Sequence, residues 1–172
     1  MVLLLIGKAL YFFLPAYIAN MAPVLCKKIP LLNKPVHEKR FGSHKTWRGL
    51  IAAVLAGGLV FWLQKIAYGM GFRSLAVIDY TDFSVLLGFL LGGGAILGDL
   101  VKSYYKRKGG IKPGHSWVPF DQLDFVIGGI IGSFFLYVPP ASIMLVLLIV
   151  SPVLHALFHY IGYLLNMNGT KW

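Results

Sequence analysis

The chain is short of charge, and of acids above all. Of its 172 residues only 13% are charged, and only six are Asp or Glu. An ordinary soluble domain carries roughly 25% charged residues, so that class is excluded. Cysteine is nearly absent too. The single Cys26 excludes a disulfide framework and a zinc site built from cysteines. No internal repeat is visible, which leaves a duplicated transporter architecture without support. The P-loop spacing Gly-x-x-x-x-Gly-Lys-Ser/Thr is missing as well. What the chain has in quantity is apolar surface: 58% of its residues are apolar, and mean hydropathy is +0.73. Disordered chains keep far less. The length fits one domain.

A membrane-spanning helix needs about 20 mostly apolar residues. Five stretches meet or approach that length, at about residues 2–25, 49–68, 83–101, 121–138 and 141–165. They are too long for strands and do not alternate. The expected fold is an all-α integral membrane protein, a bundle of five transmembrane helices forming a single domain over residues 1–172. The first stretch is expected to be retained rather than cleaved as a signal peptide. It is longer than a usual signal core, has Lys8 inside it, and places Leu25 rather than a small residue before Cys26.

The cations outnumber the acids sixteen to six, and they are not spread evenly. On a soluble protein a charge of +10 would suggest nucleic acid. Here the apolar fraction points to a membrane, and no nucleic-acid partner is expected. Loop one, Cys26–Arg48, has seven cations against Glu38, and loop three, Lys102–Phe120, has five cations and no acid. Loop two, Gly69–Asp82, sets Arg73 against Asp79 and Asp82, while loop four is little more than Pro139-Pro140. The positive-inside rule then places loops one and three in the cytoplasm and the N-terminus outside. Glycines at 88, 92, 93, 94, 128, 129 and 132 fall inside spans three and four. Gly88-x-x-x-Gly92 and Gly128-x-x-x-Gly132 are spacings that let helices approach closely, and a tight bundle accounts for them.

The chemistry-bearing residues collect at the cytoplasmic face. In Leu97-Gly-Asp-Leu-Val-Lys-Ser-Tyr-Tyr-Lys-Arg107, a continuing helix puts Asp99, Lys102, Ser103 and Lys106 on one face. That suits a phosphate and a metal equally well as a snorkelling helix end with Asp99 paired to Lys102 or Lys106. Span four opens with Asp121 and Asp124, three apart and so on a shared face. One acid there would be a helix cap. Two, opposite Asp99, exceed what capping requires, and paired carboxylates suit Mg²⁺ with substrate phosphates. In Phe41-Gly-Ser-His-Lys-Thr-Trp-Arg-Gly49, the residues Lys45, Thr46 and Arg48 are candidate phosphate ligands, though a polybasic loop also attracts anionic lipid. Asn20 and Pro23 are positioned to break the last turn of span one. His155 and His159 have a zinc-compatible spacing but no third ligand, so hydrogen-bonded packing is expected of them. Carboxylates for Mg²⁺ beside cations for phosphate oxygens form the set needed for phosphoryl or nucleotidyl transfer.

The run Ser103-Tyr-Tyr-Lys-Arg107, Lys112-Pro113, Asp121-Gln-Leu-Asp124 resembles the signature of the CDP-diacylglycerol synthases: Ser-x-x-Lys-Arg, Lys-Asp, His-Gly-Gly, Asp-Arg-x-Asp. This chain departs from it at Pro113, at Gly114-His-Ser-Trp-Val-Pro119 in place of His-Gly-Gly, and at Gln122 in place of Arg. Those departures, the short length, Asn20-Met-Ala-Pro23 and the Lys45-Thr-Trp-Arg-Gly49 block resemble the archaeal branch of that superfamily, the CDP-archaeol synthases. The resemblance implies a membrane enzyme that takes CTP, Mg²⁺ and 2,3-di-O-geranylgeranylglycerol 1-phosphate to CDP-archaeol and pyrophosphate. It implies Asp99, Asp121 and Asp124 as metal ligands, and these with Lys106 as the catalytic set. Lys45, Thr46, Arg48, Lys102, Ser103 and Arg107 would take the triphosphate or the lipid phosphate, with Lys112 compensating for the Arg that Gln122 replaces. Membrane lipid is the other partner, and a homodimer is carried as an open expectation. The rival classes are another lipid transferase, a small transporter and a lipid-binding anchor. A transporter would place ionisable groups near the midplane, and an anchor leaves three clustered acids without a role.

Overall fold

A run of 24 mostly apolar residues interrupted by no acid has every reason to coil, because only a helix pairs all its backbone groups internally. The computed structural model describes residues 1–111, 115 and 117–164, with the side chains of 158, 159 and 161–164 outside that description. Its first helix, α1 (Val2–Leu25), turns Ala9, Phe12, Phe13, Ala16, Ala19 and Ala22 inward, a stripe at helical spacing. Pro15 lies inside it and removes the N–H that would bond the carbonyl of Tyr11. The buried amide of Gln64 donates to that carbonyl instead, at 2.5 Å. Here a helix-breaking residue is tolerated because a neighbouring helix supplies the missing donor.

A short turn, α2 (Glu38–Phe41), leads to α3 (Trp47–Gly69). Thr46 caps α3 by accepting the Gly49 N–H at 3.2 Å. Helix α4 (Leu86–Lys108) follows, then α5 (Phe120–Ser133) and α6 (Ala141–Leu164). Among the described residues there is no strand, only an isolated antiparallel bridge between Pro35 and Thr46. Helix α1 touches α3, α4, α5 and α6, and α4 is flanked by α3 and α5. Tyr17 and Ser151 share a hydrogen bond of 2.5 Å that ties α1 to α6 beside Pro152. The main core gathers Phe12, Phe13, Phe61, Leu87, Leu91, Phe125 and Val126.

Among the described residues, three helices are long and apolar enough to cross a membrane: α1 with the turn after it, α3 and α4. Helix α6 is apolar over its described stretch Ala141–Leu157 as well. Helix α4 begins three residues after the expected boundary at 83 and runs seven past the expected end at 101, so Lys102, Ser103 and Lys106 are helical. Helix α5 stops at Ser133, five residues before the expected end at 138. The chain tightens there into i→i−3 turns, the Phe134 N–H bonding the Ile131 carbonyl at 3.2 Å and the Leu136 N–H the Ser133 carbonyl at 3.0 Å. Pro139 then forces Val138 out of helical geometry. At 14 residues α5 extends about 21 Å.

The spacing between helices is set by glycines. A methyl group on Gly57, Gly88 or Gly92 would strike backbone across the α3–α4 seam. Across the α4–α5 seam, one on Gly94 would strike the Gly128 carbonyl and one on Gly98 the Asp124 carbonyl. The two backbones are in contact there, which brings the start of α5 against the turn of α4 that carries Asp99.

Candidate active site

Asp99 follows Gly98 directly, and Asp124 lies across the glycine contact. Both are therefore fixed by backbone rather than by long side chains. Asp99 is 8% exposed, and Ser103 and Lys106 on the same face of α4 are buried as well. From α5, Asp121 and Asp124 turn toward them. Lys102 sits in the middle. Its ammonium is 3.2 Å from Asp99 Oδ1, 2.9 Å from Asp121 Oδ1 and 3.0 Å from Asp124 Oδ2. Lys106 pairs with Asp121 Oδ2 at 2.8 Å, and Lys45 reaches in from the loop before α3 to pair with Asp99. Three carboxylates and three ammonium groups form one neutral network.

Asp99 pairs with Lys102, as a snorkelling helix end would have it, while Lys106 serves Asp121. Capping explains only part of the α5 acids. Pro119 stands at the cap position of α5 and no side chain caps it. Asp121 Oδ2 accepts the N–H of Trp117, in the segment before the helix, at 2.6 Å. Asp124 Oδ1 accepts the Phe125 N–H at 2.6 Å. Both acids keep oxygens aimed at Lys102.

Three hollows meet at this network. A polar cavity of about 600 Å³ is lined by Asn20, Pro23, Lys45, Thr46, Arg48 and Asp99, among others. A small cup of about 210 Å³ beside it is lined by Ser43, Lys45, Lys102, Ser103, Lys106 and Arg107. On the far side runs an apolar groove of about 590 Å³ between α4 and α5. Leu97, Val101, Phe120 and Ile127 form its walls, and Lys102 and Asp124 stand at its head. Asp99 thus faces the polar cavity, and Asp124 the apolar groove.

Of the residues singled out from sequence, Lys45, Asp99, Lys102, Lys106, Asp121 and Asp124 are in direct contact with one another. Ser103 and Arg107 line the cup, with Arg107 also donating to the Ile111 carbonyl at 2.6 Å. Thr46 and Arg48 line the cavity, but both already have local work. Thr46 caps α3, and Arg48 donates to the carbonyl of Ile29. Lys112 lies outside the described residues, as does the side chain of His159. Residues not anticipated include Ser43, His44 and Asn33 on the cavity wall and the Trp117 N–H on Asp121. Their placement depends on loop paths that carry no periodic pattern. The Gly94-x-x-x-Gly98 pair was legible in principle, since it repeats the small-residue spacing found at Gly128 and Gly132.

A family profile described as CarS-like, CDP-archaeol synthase, matches residues 1–172. The chain belongs to the CDP-archaeol synthase family. Curated CDP-archaeol synthases are similar along nearly their whole length. That of Methanopyrus kandleri is 37% identical, over 97% of this chain and 94% of its own. That of Methanococcus maripaludis is 32% identical, over 99% and 98%. That of Pyrococcus furiosus is 31% identical, over 96% and 97%. A solved structure of an intramembrane enzyme for archaeal membrane lipid biosynthesis superposes with a TM-score of 0.65. It is 28% identical and covers 91% of this chain and 92% of that one. Membership of the family assigns the chain CTP-dependent formation of CDP-archaeol in archaeal lipid biosynthesis.

Proposed function

We infer that this chain forms CDP-archaeol at the membrane by transferring CMP from CTP to the phosphate of an ether lipid, 2,3-di-O-geranylgeranylglycerol 1-phosphate, and releasing pyrophosphate. The observation that carries the site assignment is the position of the charged network between two unlike hollows. The polar cavity suits a nucleotide, and the apolar groove suits an isoprenoid chain. Their common wall holds the groups that phosphates need.

In this reading CTP enters the polar cavity, and its phosphates lie along Lys45 and the cup formed by Ser103, Lys106 and Arg107. The lipid lies against α4 and α5 with its phosphate at the groove head, by Lys102. A lipid phosphate oxygen attacks the α-phosphorus of CTP in line. The new phosphorus–oxygen bond forms as the bond to the bridging oxygen of the β-phosphate breaks, and pyrophosphate leaves. The nucleophile is already an anion at neutral pH, so positioning and charge neutralisation are what the protein must supply.

Mg²⁺ fits the donor set. Three hard carboxylate oxygens from two helices converge on one point, and that point already holds a cation, the Lys102 ammonium. Asp99, Asp121 and Asp124 would be the ligands, and the ion would neutralise phosphate charge when bound. The chain is read as one multi-pass domain over residues 1–172, N-terminus outside, with this site at the cytoplasmic face.

The test is incubation of the purified protein with radiolabelled CTP, Mg²⁺ and either the geranylgeranyl ether phosphate or a diacyl phosphatidic acid. Label in the ether product alone is the expected result. Equal label in both would remove the selectivity for the ether lipid, and none in either would overturn the reading. Asp121→Asn and Asp124→Asn should each lower turnover by on the order of 100-fold or more while leaving a folded protein. Near-normal turnover in both would remove the carboxylates from the site.

A further inference from the structure

The three acids do not close on a metal as they stand. Among the described residues no group of three or more acidic, histidine or cysteine side chains is arranged to hold one. Lys102 stands between them. Its ammonium fills the point on which the carboxylates converge, at 2.9 to 3.2 Å from one oxygen of each. A magnesium ion binds oxygens at about 2.0–2.1 Å and would need that same point. Lysine and ion exclude one another.

We propose that Lys102 is a tethered place-holder cation, which keeps the acidic site closed to divalent metal until nucleotide phosphates draw the lysines away. The proposal rests on the metal reading given above and adds an order to it. With Lys45, Lys102 and Lys106 in place the cluster carries no net charge, so a lone divalent cation gains little by entering. A triphosphate in the cup offers Lys45, Lys102 and Lys106 better acceptors than aspartates that a metal can serve. Withdrawal of Lys102 uncovers three carboxylate oxygens beside the newly arrived phosphates. Nucleotide and metal then favour one another by the same factor, as linkage requires. The four-carbon stem of lysine makes the exchange feasible, since its ammonium is a point charge on a flexible tether. Lys102 also lines both the cup and the groove head, so it has somewhere to go on either side.

The experiment is Mn²⁺ binding followed by the loss of the free-ion EPR signal, on detergent-solubilised wild type, Lys102→Met and Lys106→Met without nucleotide, and on wild type titrated with preformed Mn·CTP. Lys102→Met should bind Mn²⁺ at least about tenfold tighter than wild type, a modest demand for one buried unit charge. Lys106→Met removes the same charge, but one that pairs with Asp121 alone, and leaves the place-holder, so it should tighten binding by less than about threefold. Equal tightening in the two variants would reduce the effect to net charge and overturn the proposal. So would nucleotide-free wild type that binds Mn²⁺ as tightly as Lys102→Met, a comparison that stands even if Lys106→Met does not fold. If Lys102→Met does not fold, wild type alone decides. Tight Mn²⁺ binding without nucleotide overturns the place-holder, and weak binding that Mn·CTP converts to a bound signal supports it. Mn²⁺ held by neither folded Lys102→Met nor the wild-type complex with CTP would instead overturn the metal assignment itself.

Discussion

At the scale of single residues, polar side chains in this chain are divided between holding the backbone and facing the hollows. Thr46 does both, lining the polar cavity while its hydroxyl accepts the Gly49 N–H. The two roles separate by substitution. Thr46→Ala removes the cap and should cost about 1 kcal/mol of stability. Thr46→Asn keeps a capping oxygen and should recover most of it in a thermal melt. If Thr46 acts on the nucleotide through its hydroxyl, the asparagine variant will regain stability but not the KM for CTP. Recovery of both would make it a cap alone. Gln64 has no such ambiguity. It is buried among apolar helices because Pro15 leaves the Tyr11 carbonyl without its helical partner.

At the scale of elements, the seam between α4 and α5 determines whether a site exists. Gly98 is the sharpest case, because an added methyl would strike the carbonyl of Asp124 itself. Gly98→Ala should push α5 outward, lengthen every contact that Lys102 makes across the seam, and lower turnover by roughly 100-fold, since small misplacements of reacting groups cost that much. Gly93→Ala is the matched control. A methyl there would meet only Val54 Cγ2 at 3.7 Å, an ordinary contact, and activity should stay within about twofold of wild type. Similar losses in both would mean that helix flexibility matters rather than the seam. This seam also marks the limit of what could be read from sequence. The helices α1, α3 and α4 were visible as apolar runs, whereas Asp99, expected near the inner end of its span, lies well inside α4 because the helix continues to Lys108. That Asp121 and Asp124 would share a helix face followed from spacing, and that Asp99 would lie at the same membrane face followed from the order of the spans. That a lysine would stand between them did not. Its place depends on how far α4 continues and how α4 and α5 are rotated against each other, which packing decides. The pairing of Lys45 with Asp99 joins residues 54 apart in sequence, and no local pattern encodes it. The early end of α5 escaped for a related reason, because Phe134–Val138 is apolar enough to read as helix until the Pro139-Pro140 corner is taken into account.

At the scale of the whole molecule, the two ends differ in charge. The basic segment after α1 and the basic C-terminal part of α4 meet at the acidic cluster, through the Lys45 and Lys102 contacts. At the other end, Lys65 donates to the carbonyl of Tyr80 at 2.9 Å, and aromatic contacts such as Phe83–Tyr137 join the remaining loops. This polarity makes a prediction about orientation. Cys26 is the sole cysteine and lies at the basic end, whereas Met70 lies at the other and is 83% exposed. Cationic loops are retained on the cytoplasmic side during insertion. A membrane-impermeant maleimide should therefore label wild-type protein in inside-out vesicles and spare it in right-side-out ones. In a Cys26→Ser, Met70→Cys variant the pattern should reverse. The test bears on function directly. CTP is charged and does not cross a bilayer unaided, so a site fed by soluble nucleotide has to open where Cys26 is. Labelling of Cys26 from the outer face would leave the polar cavity cut off from its substrate, and the assignment of that cavity to CTP would fall with the topology.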